Sequence, residues 1–188
     1  VYDLHDERVL ESFPLDVEAA QAVAAAVRAA IPGVHFAIET ADRGFAHEPG
    51  YLPRDDSAAP FSRAPLDELL TAPVVKLLIR HGTLDPDTLL ASAREVADGL
   101  AELTHSSRDG LLEVSATGVT KATTLARLAG ERGIGADGVG VLGDMPNDRP
   151  MLAWAGTAYG MSAKLRGDLV VKHGWATMPG TTEGNRLV

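Results

Sequence analysis

Between Asp16 and Ile31 the apolar residues Val17, Ala20, Ala24, Val27 and Ile31 recur at intervals of three and four, which lays one stripe along a helix. Asp16 stands at the cap position and Pro32-Gly33 ends the run, so a helix is predicted there. VHFAIET, Val34 to Thr40, alternates apolar and polar residues in the manner of a half-buried strand. Residues 41–60 are rich in Gly, Pro and Asp and read as one long loop, a kind of segment that is commonly functional. A second strand is predicted over Val74 to Arg80. Asp85 directly before Pro86 reads as an N-cap followed by a first-turn proline, and Leu89, Leu90, Ala93, Val96, Ala97 and Leu100 supply the stripe of a second helix. Strand-like pieces at Leu103 to Ser107 and Leu111 to Ser115 flank Arg108-Asp109-Gly110, whose Asp-Gly pair signals a hairpin. The opening VYDLHDERVLESF reads as another hairpin, with LHDE as its turn.

After Ala116 the pattern changes. Thr120 can cap a helix carrying Leu125 and Leu128, followed by strand VGVL, helix PMLAWA, strand TAYGM, a short helix around Ala163 to Arg166, and strand LVVK. Helices and strands that alternate through short connections predict a parallel, doubly wound sheet, whereas the earlier part predicts an antiparallel α+β layer. The expected organisation is therefore a connecting hairpin over residues 1–13, an α+β domain over 14–115, and part of a parallel α/β core over 116–188.

Composition narrows the function classes. In 188 residues, 45% are hydrophobic and 23% charged, the balance of an ordinary globular chain. No apolar run approaches the roughly 20 residues that cross a bilayer, so no membrane partner is expected. A formal net charge of -9 without clustered Lys or Arg argues against a nucleic-acid partner, which demands basic groups to neutralise phosphates. With no cysteine there is neither a disulfide framework nor a thiolate metal site, and with no signal peptide at Val1 the cytoplasm is the expected location.

Two motifs carry chemistry. GVTK, Gly118 to Lys121, puts an ammonium at the opening of a helix, where the partial positive charge of the helix end makes it unfavourable unless an anion is near. That arrangement suits a phosphate. GDMPND, Gly143 to Asp148, sets two acids, an amide and a glycine at the carboxyl end of a strand, where ligands bind in open α/β sheets. One helix and one strand separate the motifs, which returns both to the same sheet edge. Other candidates fall away. His47-Glu48 begins like HExxH, but Tyr51 replaces the second histidine and Pro49 bars a helix. Ser106 and Ser107 follow His105 without a GxSxG elbow.

Together these residues resemble the carboxyl-terminal half of a haloacid dehalogenase-superfamily phosphatase of the Cof-type sugar-phosphatase branch. The motif-three lysine, the motif-four GDxxND, and the Met151, Leu152, Ala155-Gly156, Met161 and Ala163 positions all match, over about Leu111 to Val188. The resemblance implies a Rossmann-like parallel core with an inserted α+β cap, a magnesium ion, and a small phosphorylated substrate. It implies that Lys121 balances charge between phosphate and nucleophile, Asp144 ligates magnesium, and Asn147 contacts the phosphate. Asp148 would support the metal shell and cap the next helix. Cap-loop residues Arg43, Glu48, Tyr51 and Arg54 would reach the leaving group if the cap closes over the site. In this family the nucleophile and general acid lie in a DxDGT motif after the first strand. No such motif follows the first strand here, and both residues are expected ahead of Val1. Asp85-Pro86-Asp87-Thr88 imitates the pattern, but it is read as a helix cap. The resemblance also leaves open a non-catalytic homologue and a phosphomutase or phosphotransferase.

Overall fold

The computed structural model describes residues 1–41, 44–53, 62–105 and 110–160. The chain divides into two compact units, Val1–Gly118 and Val119–Val188, and its fold is mixed α/β.

In the first unit, β1 (Tyr2–Asp3) and β2 (Arg8–Val9) form the expected hairpin. Its turn is tied by Asp3, whose carboxylate accepts the His5 and Asp6 amides. Helix α1 (Val17–Ala30) follows, buried along Ala20, Val23, Ala24 and Val27. Then come β3 (Val34–Thr40), β4 (Gly44–His47), β5 (Ser62–Arg63), the short α2 (Leu66–Leu69), β6 (Lys76–His81), α3 (Pro86–Ala97), β7 (Glu102–Thr104) and β8 (Leu111–Ser115). The strands form one six-stranded sheet in the order β5-β4-β3-β6-β8-β7. Every pairing is antiparallel except β4 with β5.

Strand alternation decides which side chains meet the helices. Val34, Phe36 and Ile38 of β3, Leu77 and Ile79 of β6, and Leu112 and Val114 of β8 join one core with the buried residues of α1 and with Leu89, Ala93 and Ala97 of α3. Phe36 is completely buried, a burial that contributes about 1.5–3 kcal/mol. On the opposite face Ala37, Leu78 and Tyr51 cluster with Phe45 and Leu111. Two expectations need correction. Residues 41–60 are not one continuous loop, because Gly44–His47 pairs with β3 as β4. The stripe of the second helix is shorter than expected: α3 stops at Ala97, and Val96 and Leu100 are exposed.

In the second unit, α4 (Lys121–Gly130), β9 (Gly140–Gly143), a 3₁₀ turn (Pro146–Asp148), α5 (Arg149–Trp154) and β10 (Thr157–Gly160) follow in order. Strands β9 and β10 pair in parallel, with Val141 opposite Ala158, and the crossover between them carries α5, as a parallel pair requires. Val141, Leu152 and Ala155 form its core with Leu125, Met151 and Trp154 packed against them. The helix expected around Ala163, the strand after it, and Met161 lie outside the described residues.

Candidate active site

The site is built from the two ends of α4 and β9. Thr120 caps α4 in a reciprocal box: its hydroxyl accepts the Thr123 amide at 3.1 Å, and the Thr123 hydroxyl accepts the Thr120 amide at 2.9 Å. Two otherwise orphaned donors are thereby satisfied, which fixes Lys121 as the first helical residue. Its ammonium donates to Asp148 Oδ1 at 2.5 Å. The anion that offsets the helix end is thus a side chain of the same unit, 27 residues away in sequence.

Asp148 is almost fully buried, and its second oxygen accepts the backbone amides of Asp144 at 3.0 Å and Met145 at 3.1 Å. One carboxylate therefore folds the GDMPND turn back on itself and holds the lysine over it. Gly143 is needed for this: a Cβ there would fall 2.5 Å from that of Asp148. The expected capping of the next helix is corrected, since Asp148 makes no side-chain cap bond to α5. Its oxygens turn backward, to the turn that precedes it.

Asp144 sits just past the end of β9, exposed, and no described residue bonds its carboxylate. Asn147 is half-buried, and its Oδ1 is buried with no hydrogen-bond partner among the described residues. An orphaned buried acceptor costs about 1–3 kcal/mol, so this oxygen calls for an N–H or O–H donor. Among the described residues no group of three His, Cys, Asp or Glu side chains gathers as a metal cage. Magnesium needs no such cage: one or two carboxylates with waters and phosphate oxygens suffice. Asp144 offers free, hard oxygen donors that fit it, while both oxygens of Asp148 are already committed to N–H donors.

The residues expected to contact substrate from the first unit fare differently. Glu48 and Tyr51, expected as substrate contacts, are each about 5% exposed and held by contacts within the first unit. β4 draws the chain against the sheet, and Glu48 then accepts the Phe36 amide at 2.8 Å and the Arg28 guanidinium at 2.6 Å. Tyr51 packs its ring against Phe45 and His47 with centroids 5.9 and 5.8 Å apart. Arg28, which also lies over the Phe36 ring, was not visible as a partner, because nothing in the sequence links it to Glu48. Arg43 and Arg54 lie outside the described residues.

Asp85 is the cap that its proline announced. Oδ1 accepts the Asp87 and Thr88 amides at 3.1 and 3.0 Å, and Oδ2 accepts the Thr88 hydroxyl at 2.6 Å. These bonds, the Thr88 hydroxyl first and its amide second, hold the Asp85 carboxyl below the usual carboxylate range. The DPDT imitation of a nucleophile motif is a helix start.

A family model described as haloacid dehalogenase-like hydrolase matches residues 1–165. Comparison with curated protein sequences finds no match. Among solved structures, a subclass IIB sugar phosphatase of this superfamily is 16% identical with a TM-score of 0.66, over 83% of this chain and 59% of its own. A phosphatase of the superfamily from Bacteroides thetaiotaomicron is 18% identical with a TM-score of 0.66, over 93% of this chain and 64% of its own. A haloacid dehalogenase-like hydrolase from the same organism is 19% identical with a TM-score of 0.61, over 85% and 61%. At these identities the likeness is one of fold. The chain spans about three fifths of the length of these structures.

Proposed function

The chain belongs to the haloacid dehalogenase-like hydrolases, and from that premise we propose that it is part of a magnesium-dependent phosphatase acting on a small phosphorylated metabolite. The observation that carries the reading is the joined pair of motifs: Lys121 held over the GDMPND turn by Asp148, beside Asp144, whose carboxylate no described residue bonds. In this reading the first unit is the cap and the second is part of the core.

Each side chain then has a task that its chemistry allows. The Lys121 ammonium has three donors; one is spent on Asp148, and two remain for phosphate oxygens. Its side chain is about half exposed, so a ligand can reach it. Asn147 offers its amide N–H donors to the phosphate. Asp144 supplies oxygen donors to magnesium, which when bound neutralises phosphate charge. Asp148 positions Lys121 and the backbone of Asp144.

Phosphoryl transfer depends chiefly on positioning and charge neutralisation, which these four residues provide. The covalent steps belong to an aspartate nucleophile of the motif-one kind. Its oxygen bonds to phosphorus as the bond to the leaving oxygen breaks, and that oxygen takes a proton from the general acid. Water then attacks the aspartyl phosphate, frees the carboxylate and releases orthophosphate. The test is orthophosphate release by the native protein, at its natural length, from a panel of sugar phosphates and other phosphorylated metabolites. Turnover that requires magnesium and stops on chelation is expected; equal turnover with chelator would refute the reading.

A further inference from the structure

A second concave site lies in the first unit, remote in sequence from both motifs. A cavity of about 490 Å³ opens between α1, the turn after β4, and α2, within the roughly 300–1,000 Å³ of small-ligand sites. Ala24 and Leu70, both buried, give it an apolar floor, and Gln21, Arg28, Glu48 and Asp67 line it.

Hydrogen-bond accounting shows what is left open. Glu48 is spent on Arg28 and the Phe36 amide. Gln21 donates its amide Nε2 to the Leu70 carbonyl at 3.1 Å, which leaves Oε1 as an acceptor. Arg28 commits Nη2 to Glu48, and no described residue bonds its Nε or Nη1; a guanidinium carries five N–H donors. Asp67, exposed on the first turn of α2, has no bond or ion pair among the described residues and is not paired with Arg28. The cavity therefore offers unspent donors from one helix, unspent acceptors from two, and apolar surface beneath.

A carboxylate alone would meet Glu48 2.6 Å behind the guanidinium, and an amine alone would leave the Arg28 donors unmatched. A ligand carrying both groups on an apolar body gives the open acceptors an ammonium and two of the open Arg28 N–H groups a carboxylate. We propose that this cavity binds a free α-amino acid with an apolar side chain, its ammonium on Asp67 and Gln21 Oε1, its carboxylate on the open N–H groups of Arg28. The side chain then covers Ala24 and Leu70.

The test is an NMR titration of the 188-residue chain with L-leucine, and in parallel with isopentylamine and isocaproate, which each keep one of its two charged groups. Leucine should saturably shift the amides of residues 21–28 and 66–70, and each analogue should bind at least about tenfold more weakly. Asp67→Asn, a change on an exposed position, should weaken leucine about tenfold and leave the remaining spectrum unmoved. No saturable shift at roughly 10 mM leucine, an analogue that binds as tightly as leucine, or an unaltered Asp67→Asn titration would each overturn the proposal.

Discussion

Replacing Asp148 with alanine removes one buried carboxylate that closes three contacts at once. The Asp144 and Met145 amides lose their acceptor, and Lys121 loses its ion pair. An unsatisfied buried donor costs about 1–3 kcal/mol; these two amides are only partly buried, so about 1 kcal/mol each applies. The Lys121 side chain is 52% exposed, and water recovers most of its pairing energy, leaving about 1 kcal/mol or less. The expected loss is about 3 kcal/mol. Asp148→Asn keeps a carbonyl for the two amides but turns an N–H donor toward Lys121, which must swing into solvent from a half-exposed position, so about 1 kcal/mol is expected. Both tryptophans, Trp154 and Trp175, lie beyond Gly118, so urea unfolding followed by tryptophan fluorescence reports the second unit. Asp148→Ala should lower its midpoint by more than about 1 M, and Asp148→Asn by less than half as much. Equal midpoints for wild type and Asp148→Ala would show that the carboxylate does not hold the turn.

Further expectations follow from the first unit. Glu48→Ala leaves the buried Phe36 amide without an acceptor and half-exposed Arg28 without its partner; a loss of about 2 kcal/mol in a thermal melt is expected, most of it from the amide. Gly110→Ala places a Cβ 2.6 Å from the Leu84 carbonyl oxygen at a residue whose φ is +62°, so a loss above about 1 kcal/mol by circular dichroism is expected. Asp85 titrates lower in the folded chain than in the unfolded one, so its cap stabilises α3 above the unfolded value and that contribution fades as pH falls through the folded value. Urea midpoints of wild type and Asp85→Ala should therefore differ at neutral pH and converge in acid.

What could be read from sequence was what short-range chemistry decides. Asp85-Pro86 and Thr120 announced their helices because a cap lies within three residues of the amides it serves. VHFAIET declared β3 to the residue, since alternation is local. β4 was hidden because Gly44–His47 is four residues long and set among Gly, Pro and Asp; only pairing with β3 makes it a strand. The contacts that bury Glu48 and Tyr51 were hidden for the same reason. Polar groups on an apparent loop suggested ligand contacts, and the long-range partner Arg28 that buries Glu48 leaves no sequence mark. In the second unit, crossover topology was enough to bring Lys121 and Asp148 to one edge, and they meet there at 2.5 Å. The backward turn of the Asp148 carboxylate was not legible, because it depends on the absence of a Cβ at Gly143.

In the proposed site Lys121 and Asp144 face the transferring phosphoryl group, one through charge and one through magnesium. The most direct test of that placement is kcat/KM for orthophosphate release by the native protein and by its Lys121→Ala and Asp144→Ala variants. Losses of at least about a hundredfold are predicted for both variants, with folding retained by circular dichroism. Folded variants that keep kcat/KM within about threefold of the native protein would contradict it.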